Sequence, residues 1–326
     1  MATSDEHSRS RLRSAAVAPA NWTERLSEQQ FAYVLLLPTL LLVSTMAVWP
    51  LVNTFQMSLH ADALFSGEYV GEFVGLENYV ELLTGQRNAV LGSPFVDLSQ
   101  PFQSALTVTL IYVAIAVTLE TILGFGQALV LDQSFRGRRW VRVAILIPWA
   151  VPIAIQGLIF WLFFQPGVGF GTTIMRDWLG IFSQNPLINS VDTMIIVIVA
   201  DVWKTSAFMA LLILAGLQSV DRSLYDVAKV AGASRVQQFR YITFPLVLPA
   251  LLVALLFRTI QSMRVYGIIE TTGGCSTMPS LTCMVVDTFR SGRYATAAAV
   301  AFITAGIVAA VAMIYIVKFA DLEVGT

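Results

Sequence analysis

Six long apolar segments dominate this chain and restrict what it can fold into. They cover about 31–53, 104–131, 142–164, 193–218, 246–270 and 295–317. Each is long enough to cross roughly 30 Å of hydrocarbon as a helix. Hydrophobic residues make up 56% of the 326 residues and charged residues only 13%, about half the share of a soluble domain. The sequence therefore predicts an all-α, polytopic membrane protein with six transmembrane helices.

The basic residues predict the orientation of these spans. The first apolar segment is too long for a signal-peptide core, so we interpret it as a retained span that follows an N-terminal tail and interfacial helix at 1–30. Lys and Arg concentrate in the tail and in the segments after the second, fourth and sixth spans, whereas the other connections hold few of them. The positive-inside rule then places both termini in the cytoplasm. No basic face is available for a nucleic-acid partner.

The cytoplasmic segment 219–245 has a helical pattern of its own. Ser223 and Asp226 form a capping-box pattern that predicts a helix from Leu224, and Gly232 is suited to end it. A second capping box, Ser234 with Gln237, predicts another short helix directly afterwards.

The first of these helices has an apolar face made mainly of small residues. The face consists of Leu224, Val227, Ala228 and Ala231. Two interpretations stay open from the residues alone: the face docks into a groove of another protein, or it packs on the lipid surface.

This segment resembles the EAA loop of permease subunits in ABC importers. Asp226, Val227 and Ala228 stand at the EAA triplet, with Asp in place of Glu and Val in place of the first Ala, and Ala231 replaces a common Asp. The loop glycine, isoleucine and proline correspond to Gly232, Ile242 and Pro245. The resemblance implies that these residues couple the chain to an ATPase.

Other motifs extend the resemblance over most of the chain after residue 30. GLENYVELL (75–83), LIPWAVP (146–152), DVWK (201–204) and TTGG (271–274) occupy the places found in carbohydrate permeases of the MalF type. Within that family, the first permease subunits of actinobacterial trehalose-recycling importers are similar. The resemblance implies a MalF/MetI-like permease domain at 31–326, in a bacterial plasma membrane, with a disaccharide such as trehalose as substrate.

The family also implies the partners. They are a second homologous permease, two ATPase subunits and an extracytoplasmic sugar-binding protein. The chain has no phosphate-binding loop of the pattern G-x-x-x-x-G-K-[ST], so we expect ATP and Mg²⁺ to bind the ATPase. We expect no catalytic residue, metal or cofactor in this chain itself.

Charged residues inside the spans require partners, because an unpaired charge in hydrocarbon is costly. Asp201 and Lys204 lie three residues apart and are predicted to pair with each other, beside Thr205. Two alternatives to an ABC permease are a membrane scaffold and a proton-coupled secondary transporter with Glu120, Asp201 or Glu270 as its relay. No inverted repeat favours the second.

Polar residues of the fifth span are candidates for the substrate path. Arg258, Gln261 and Ser262 share one helix face, and Arg264 and Tyr266 flank it. Such side chains should face the bundle interior rather than lipid. Whether they contact a sugar or only each other stays open. Trp149 and Trp161 are interpreted as packing or interfacial residues.

The outer connections carry two further features. The long, acidic loop 54–103 contains an apolar helix face that is predicted to pack on the spans, to form part of a dock for the binding protein, or both. That face consists of Leu76, Tyr79, Val80 and Leu83. Cys275 and Cys283 lie in one outer loop, where a disulfide is permitted, although free buried thiols are also possible.

Overall fold

The computed structural model describes residues 26–63 and 69–324, with side chains as far as 318. In this part of the chain, five helices are long and apolar enough to cross a membrane, and a bent pair forms a sixth candidate. The predicted all-α class is thereby confirmed. The N-terminal arginines Arg9, Arg11, Arg13 and Arg25 lie outside the described residues, and so does Glu68.

The first unit of the fold ends at Gln56 and contains most of helix α1, Glu28–Ser58. Ser27 caps α1 in a capping box with Gln30. Pro38 lies inside the helix, and a π-helical turn follows at Ser44–Val48.

The second unit, Met57–Thr326, contains the remaining helices. Its long spans are α3 (Ala105–Asp132), α6 (Ser190–Gln218), α8 (Arg235–Met263, with a π-helical turn at Phe239–Thr243) and α11 (Tyr294–Val324). The shorter helices are α2 (Glu77–Thr84), α4 (Arg138–Ala150), α5 (Ile153–Phe164), α7 (Arg222–Val230), α9 (Gly267–Thr272) and α10 (Leu281–Arg290).

The three largest apolar clusters of this unit hold its long spans together. One joins α3 and α6 to the segment around α9, and its buried members include Tyr112, Val197 and Ile269. A second joins α3, α6 and α8 toward the 219–245 segment. The third packs α2, α10 and α11 against the start of α3. Between membrane helices, such contacts stabilise the bundle through close van der Waals packing rather than through removal from water, and α3 and α6 form the centre of the unit.

The third predicted span is not a straight helix, which corrects the sequence prediction for 142–164. Helices α4 and α5 meet at an angle of 92°. Val151 is extended, with φ −69° and ψ 128°, directly before Pro152. A proline ring disfavours helical backbone in the residue before it, which explains the break.

The fifth predicted span is shorter than expected. Helix α8 ends at Met263, with Arg264 as its C-terminal cap, and the separate helix α9 begins at Gly267. Arg264, Tyr266 and Glu270 therefore lie beyond the long helix, whereas the sequence prediction had extended the span to residue 270.

Candidate functional site

A buried cluster of charged residues joins the three central spans. Arg258 of α8 is 2% exposed, Glu120 of α3 is 0% exposed and Asp201 of α6 is 7% exposed. The Arg258 guanidinium contacts Glu120 through Nε and through Nη2, the latter at 2.7 Å from Oε1. The same Nη2 also donates to Asp201 Oδ2. One guanidinium thus holds a carboxylate on each of two neighbouring helices.

Neutral side chains complete this cluster. The Tyr112 hydroxyl donates to Asp201, and Thr205 Oγ1 donates to Glu120 Oε1 at 2.6 Å. Arg258 Nη1 donates to Gln261 Oε1 at 3.1 Å. Each guanidinium nitrogen of Arg258 therefore has a partner within the chain, which makes Arg258 a cross-link between helices.

The predicted pair between Asp201 and Lys204 is wrong. Asp201 binds Arg258 instead, and Lys204 Nζ donates to the carbonyl of Val151, at the break between α4 and α5. A buried guanidinium requires anionic partners around it, and the Asp201 carboxylate points toward Arg258. Lys204 lies about one helical turn after Asp201. It donates instead to the Val151 carbonyl, which the break between α4 and α5 leaves without a helical partner.

The five candidate path residues do not share one surface. Arg258 and Ser262 are buried, as the prediction of an inward face requires. Gln261 and Arg264 are exposed, and Tyr266 is half-buried. Glu270 lies near the surface and pairs with Arg290 at 2.9 Å. Only Gln261 and Arg264 are thus available to a ligand or a second chain.

The 219–245 segment forms the predicted helix, corner and helix, with one change at its start. The cap of α7 is Asp221, whose carboxylate accepts from the Ser223 backbone N–H at 2.9 Å, so the proposed Ser223 cap is wrong. The second capping box, Ser234 with Gln237, is confirmed.

Gly232 forms the corner between these two helices. It has φ +80°, a left-handed conformation that L side chains rarely adopt. The Ala233 N–H bonds the Ala228 carbonyl at 2.9 Å and the Gly232 N–H bonds the Lys229 carbonyl at 3.0 Å. These two bonds constitute a Schellman motif.

The exposed face of α7 differs from the predicted one. Val230 is 92% exposed and Val227 is 68% exposed, whereas Ala228 is half-buried. Tyr225 points inward, where its hydroxyl lies 3.0 Å from Thr243 Oγ1. Ile242 packs against the apolar cluster, and Pro245 is exposed at the start of the apolar part of α8. Val227, which belongs to the predicted face, and Val230, which does not, form the outermost apolar surface.

The chain thus has a central helix bundle, a buried ion cluster and an exposed helix–corner–helix. Residues 120–321 match the sequence model of a family described as "Binding-protein-dependent transport system inner membrane component". The chain belongs to this family of transport permeases.

Two relatives extend this match over nearly the whole permease. This chain is 34% identical over 303 residues to the trehalose/maltose transport system permease protein MalF of Thermococcus litoralis, and the match covers 91% of this chain and 96% of the relative. It is 30% identical over 309 residues to the trehalose transport system permease protein SugA of Mycobacterium tuberculosis, covering 94% of each.

A solved structure shares the fold of the permease. A chain of the bacterial alginate ABC transporter, crystallised with an alginate pentasaccharide-bound periplasmic protein, matches with a TM-score of 0.68 and 20% identity. The match covers 87% of this chain and 92% of the other. The resemblance inferred from the motifs is thus confirmed, and the proton-coupled alternative is not supported.

The GLENYVELL motif of the permease has a role that the sequence did not indicate. Asn78 is 0% exposed, and its Nδ2 donates to the carbonyls of Ser58 and His60, both at 2.7 Å. Tyr79 contacts Ser58 Oγ at 2.6 Å. Asn78 and Leu82 form the buried face of α2, so Leu76, Val80 and Leu83 are exposed and do not pack on the spans. A dock for the binding protein at these residues stays a prediction.

Cys275 and Cys283 of the permease form a disulfide. Their Cα atoms are 5.5 Å apart, and both residues are buried. The bridge closes the loop between α9 and the start of α10, directly after the TTGG motif.

Proposed function

We propose that this permease is a membrane subunit of an ATP-driven sugar importer and forms half of the translocation path. Its cargo is a disaccharide such as trehalose. The relatives from Thermococcus litoralis and Mycobacterium tuberculosis, both named as trehalose permeases, support this proposal because they align over more than nine-tenths of the chain.

The observation that carries the proposal is the exposed apolar surface of α7. Apolar side chains in an exposed helix between two spans favour a protein partner over water. Val227 and Val230 form this surface at a corner that Gly232 fixes. In the proposed complex, α7 docks into an ATPase subunit and transmits its closure to α6 and α8.

The rest of the proposed assembly follows from this docking. Two ATPase subunits bind ATP and Mg²⁺, a second homologous permease completes the path, and an extracytoplasmic binding protein delivers the sugar. Both termini and the 219–245 segment lie in the cytoplasm. The disulfide between Cys275 and Cys283 supports this orientation, because disulfides persist on the oxidising side of the membrane.

The proposed sugar path runs past Gln261 and Arg264. Both are exposed at the end of α8. Arg258 holds the Gln261 carbonyl oxygen, so the amide NH₂ is directed away from that bond and is able to donate to a sugar hydroxyl. The second permease would cover this surface.

Substitution of an exposed valine tests the docking. Val230→Asp should abolish co-purification with the ATPase subunits or uncouple ATP hydrolysis from sugar uptake. Val168→Asp, at a valine that is 71% exposed beyond the far end of α5, is the matched control and should leave assembly intact. Normal coupled uptake by the Val230→Asp complex would refute the docking role of α7.

A further inference from the structure

A cavity of about 770 Å³ opens at the end of the permease opposite the 219–245 segment. Its walls come from the end of α5, from residues 185–188 before α6 and from residues 270–274. Helix α6 begins at Ser190 and reaches the 219–245 segment only after 29 residues, about 43 Å at 1.5 Å per residue. The cavity therefore lies at the outer mouth of the permease.

We propose that this cavity is a saccharide subsite that receives the sugar before it reaches the path along α8. The proposal rests on the proposed sugar-importer function and adds a second, outer position for the same cargo. Ligand pockets usually measure about 300–1,000 Å³, so the cavity has a suitable size for a disaccharide.

The cavity combines the two kinds of contact that a sugar makes. Trp161 lines it with an indole that is 40% exposed, and a flat aromatic face packs against the C–H face of a pyranose ring. Trp161 was interpreted from the sequence as a packing or interfacial residue, and its partly exposed indole is also available for contact with a sugar ring.

Three polar side chains line the same cavity as the indole. Gln165 and Asn185 line the cavity, and their side-chain amides form no hydrogen bond with any other part of the described chain. Each amide offers both a donor and an acceptor to vicinal hydroxyls. Arg290 holds one oxygen of Glu270 at 2.9 Å, which orients the carboxylate and leaves its other oxygen to accept.

The wall formed by residues 270–274 is fixed from both sides. Thr271 packs so closely on α5 that a Cβ added at Gly157 would lie 1.7 Å from its Oγ1. Gly274 is followed at once by Cys275, which the disulfide ties to Cys283. Because this wall is already ordered before a ligand binds, binding loses less conformational entropy of the protein.

Protection of an introduced thiol tests the subsite. Both native cysteines of the permease are bonded to each other, so Ile188→Cys, at a cavity-lining residue that is 74% exposed, introduces a single free thiol. The complete transporter in membrane vesicles would be treated on the outer side with an impermeant maleimide, and labelling of this chain followed by mass spectrometry. Trehalose or maltose at ten times its dissociation constant should slow the labelling about tenfold. Sorbitol at the same concentration should have no effect.

Two controls make the result specific. Leu98→Cys, at a leucine that is 83% exposed and outside the cavity, should label at the same rate with and without sugar. Trp161→Ala in the Ile188→Cys background should remove the protection, and Trp161→Tyr should retain part of it. Trp178→Ala, at a tryptophan that is 79% exposed away from the cavity, should retain it.

The possible failures are distinguishable. If the transporter takes up labelled disaccharide but sugar leaves the Ile188→Cys rate unchanged, the subsite is refuted and the proposed function stands. If sugar-free binding protein alone slows the labelling, the cavity receives a protein loop rather than sugar, which also overturns the subsite. If no disaccharide is transported, the proposed function itself fails.

Discussion

Arg258 on α8 donates hydrogen bonds from two of its guanidinium nitrogens to the carboxylate of Glu120 on α3, within the buried centre of the permease. The two residues are 138 positions apart in the chain. Asp201 on α6 shares the same guanidinium. The three central spans are thus fixed to each other at one point by charge as well as by apolar packing.

Loss of the arginine should destabilise the permease strongly. Arg258→Met leaves two buried carboxylates without their cation, which costs roughly 3–5 kcal/mol when a buried pair is broken. Thermal unfolding of the purified transporter measures the loss. Arg290→Ala, which breaks an exposed pair with Glu270, should leave the unfolding temperature nearly unchanged, because solvent screens an exposed ion pair.

A charge-free version of the cluster provides the decisive comparison. Combining Arg258→Met with Glu120→Gln and Asp201→Asn should recover most of the lost stability, because a buried ion set is often replaceable by uncharged residues. If the triple variant is as unstable as Arg258→Met alone, the effect comes from lost packing rather than from unpaired charge.

Gln261 should affect transport without affecting assembly. Loss of one hydrogen bond to the sugar costs roughly 1–3 kcal/mol, so Gln261→Ala should lower uptake about tenfold in the presence of saturating sugar-loaded binding protein. Sugar-stimulated ATP hydrolysis should fall with it. Gln103→Ala, at an exposed glutamine before α3, is the control. Wild-type uptake by both Gln261→Ala and Arg264→Ala would show that the path does not follow this surface.

The start of α7 should depend on pH. Hydrogen bonds from the Ser223 backbone and side chain lower the pKa of the Asp221 carboxyl, so the cap is fully formed above the ordinary aspartate pKa of about 3.9. Its contribution is lost as the pH falls through the lowered value. Protection of the 222–226 amides against hydrogen exchange should decrease only in that acidic range. Asp221→Asn, which caps without titrating, should show no such decrease.

Much of the fold could be predicted because the apolar pattern that marks each span lies within one continuous stretch of the sequence. The ends of α3 and α6 lie within three residues of the predicted limits, and the Gly232 corner follows from the conformational freedom of glycine. The sequence prediction missed the 92° break before Pro152, because membrane helices often contain a proline without being broken there. In this chain, Lys204 and the packing of Gly157 against Thr271 support the bent form.

The pairing of the charged residues could not be predicted in the same way. Asp201 and Lys204 are adjacent on one helix, and a single-helix argument joins them. The actual partner, Arg258, depends on how α6 and α8 are rotated about their axes, which only tertiary packing determines. Asn78 was missed for the same reason, since its partners are the carbonyls of Ser58 and His60 in another part of the loop.

Sugar uptake by the reconstituted transporter tests directly whether ATP drives import through this permease. The permease would be purified with its second permease and ATPase subunits, placed in liposomes that contain ATP and Mg²⁺, and supplied outside with binding protein and labelled trehalose. Accumulation of trehalose should require internal ATP, be lost with Val230→Asp in α7 and persist when a proton ionophore is added. Accumulation that needs a proton gradient and proceeds without ATP would contradict ATP-driven import.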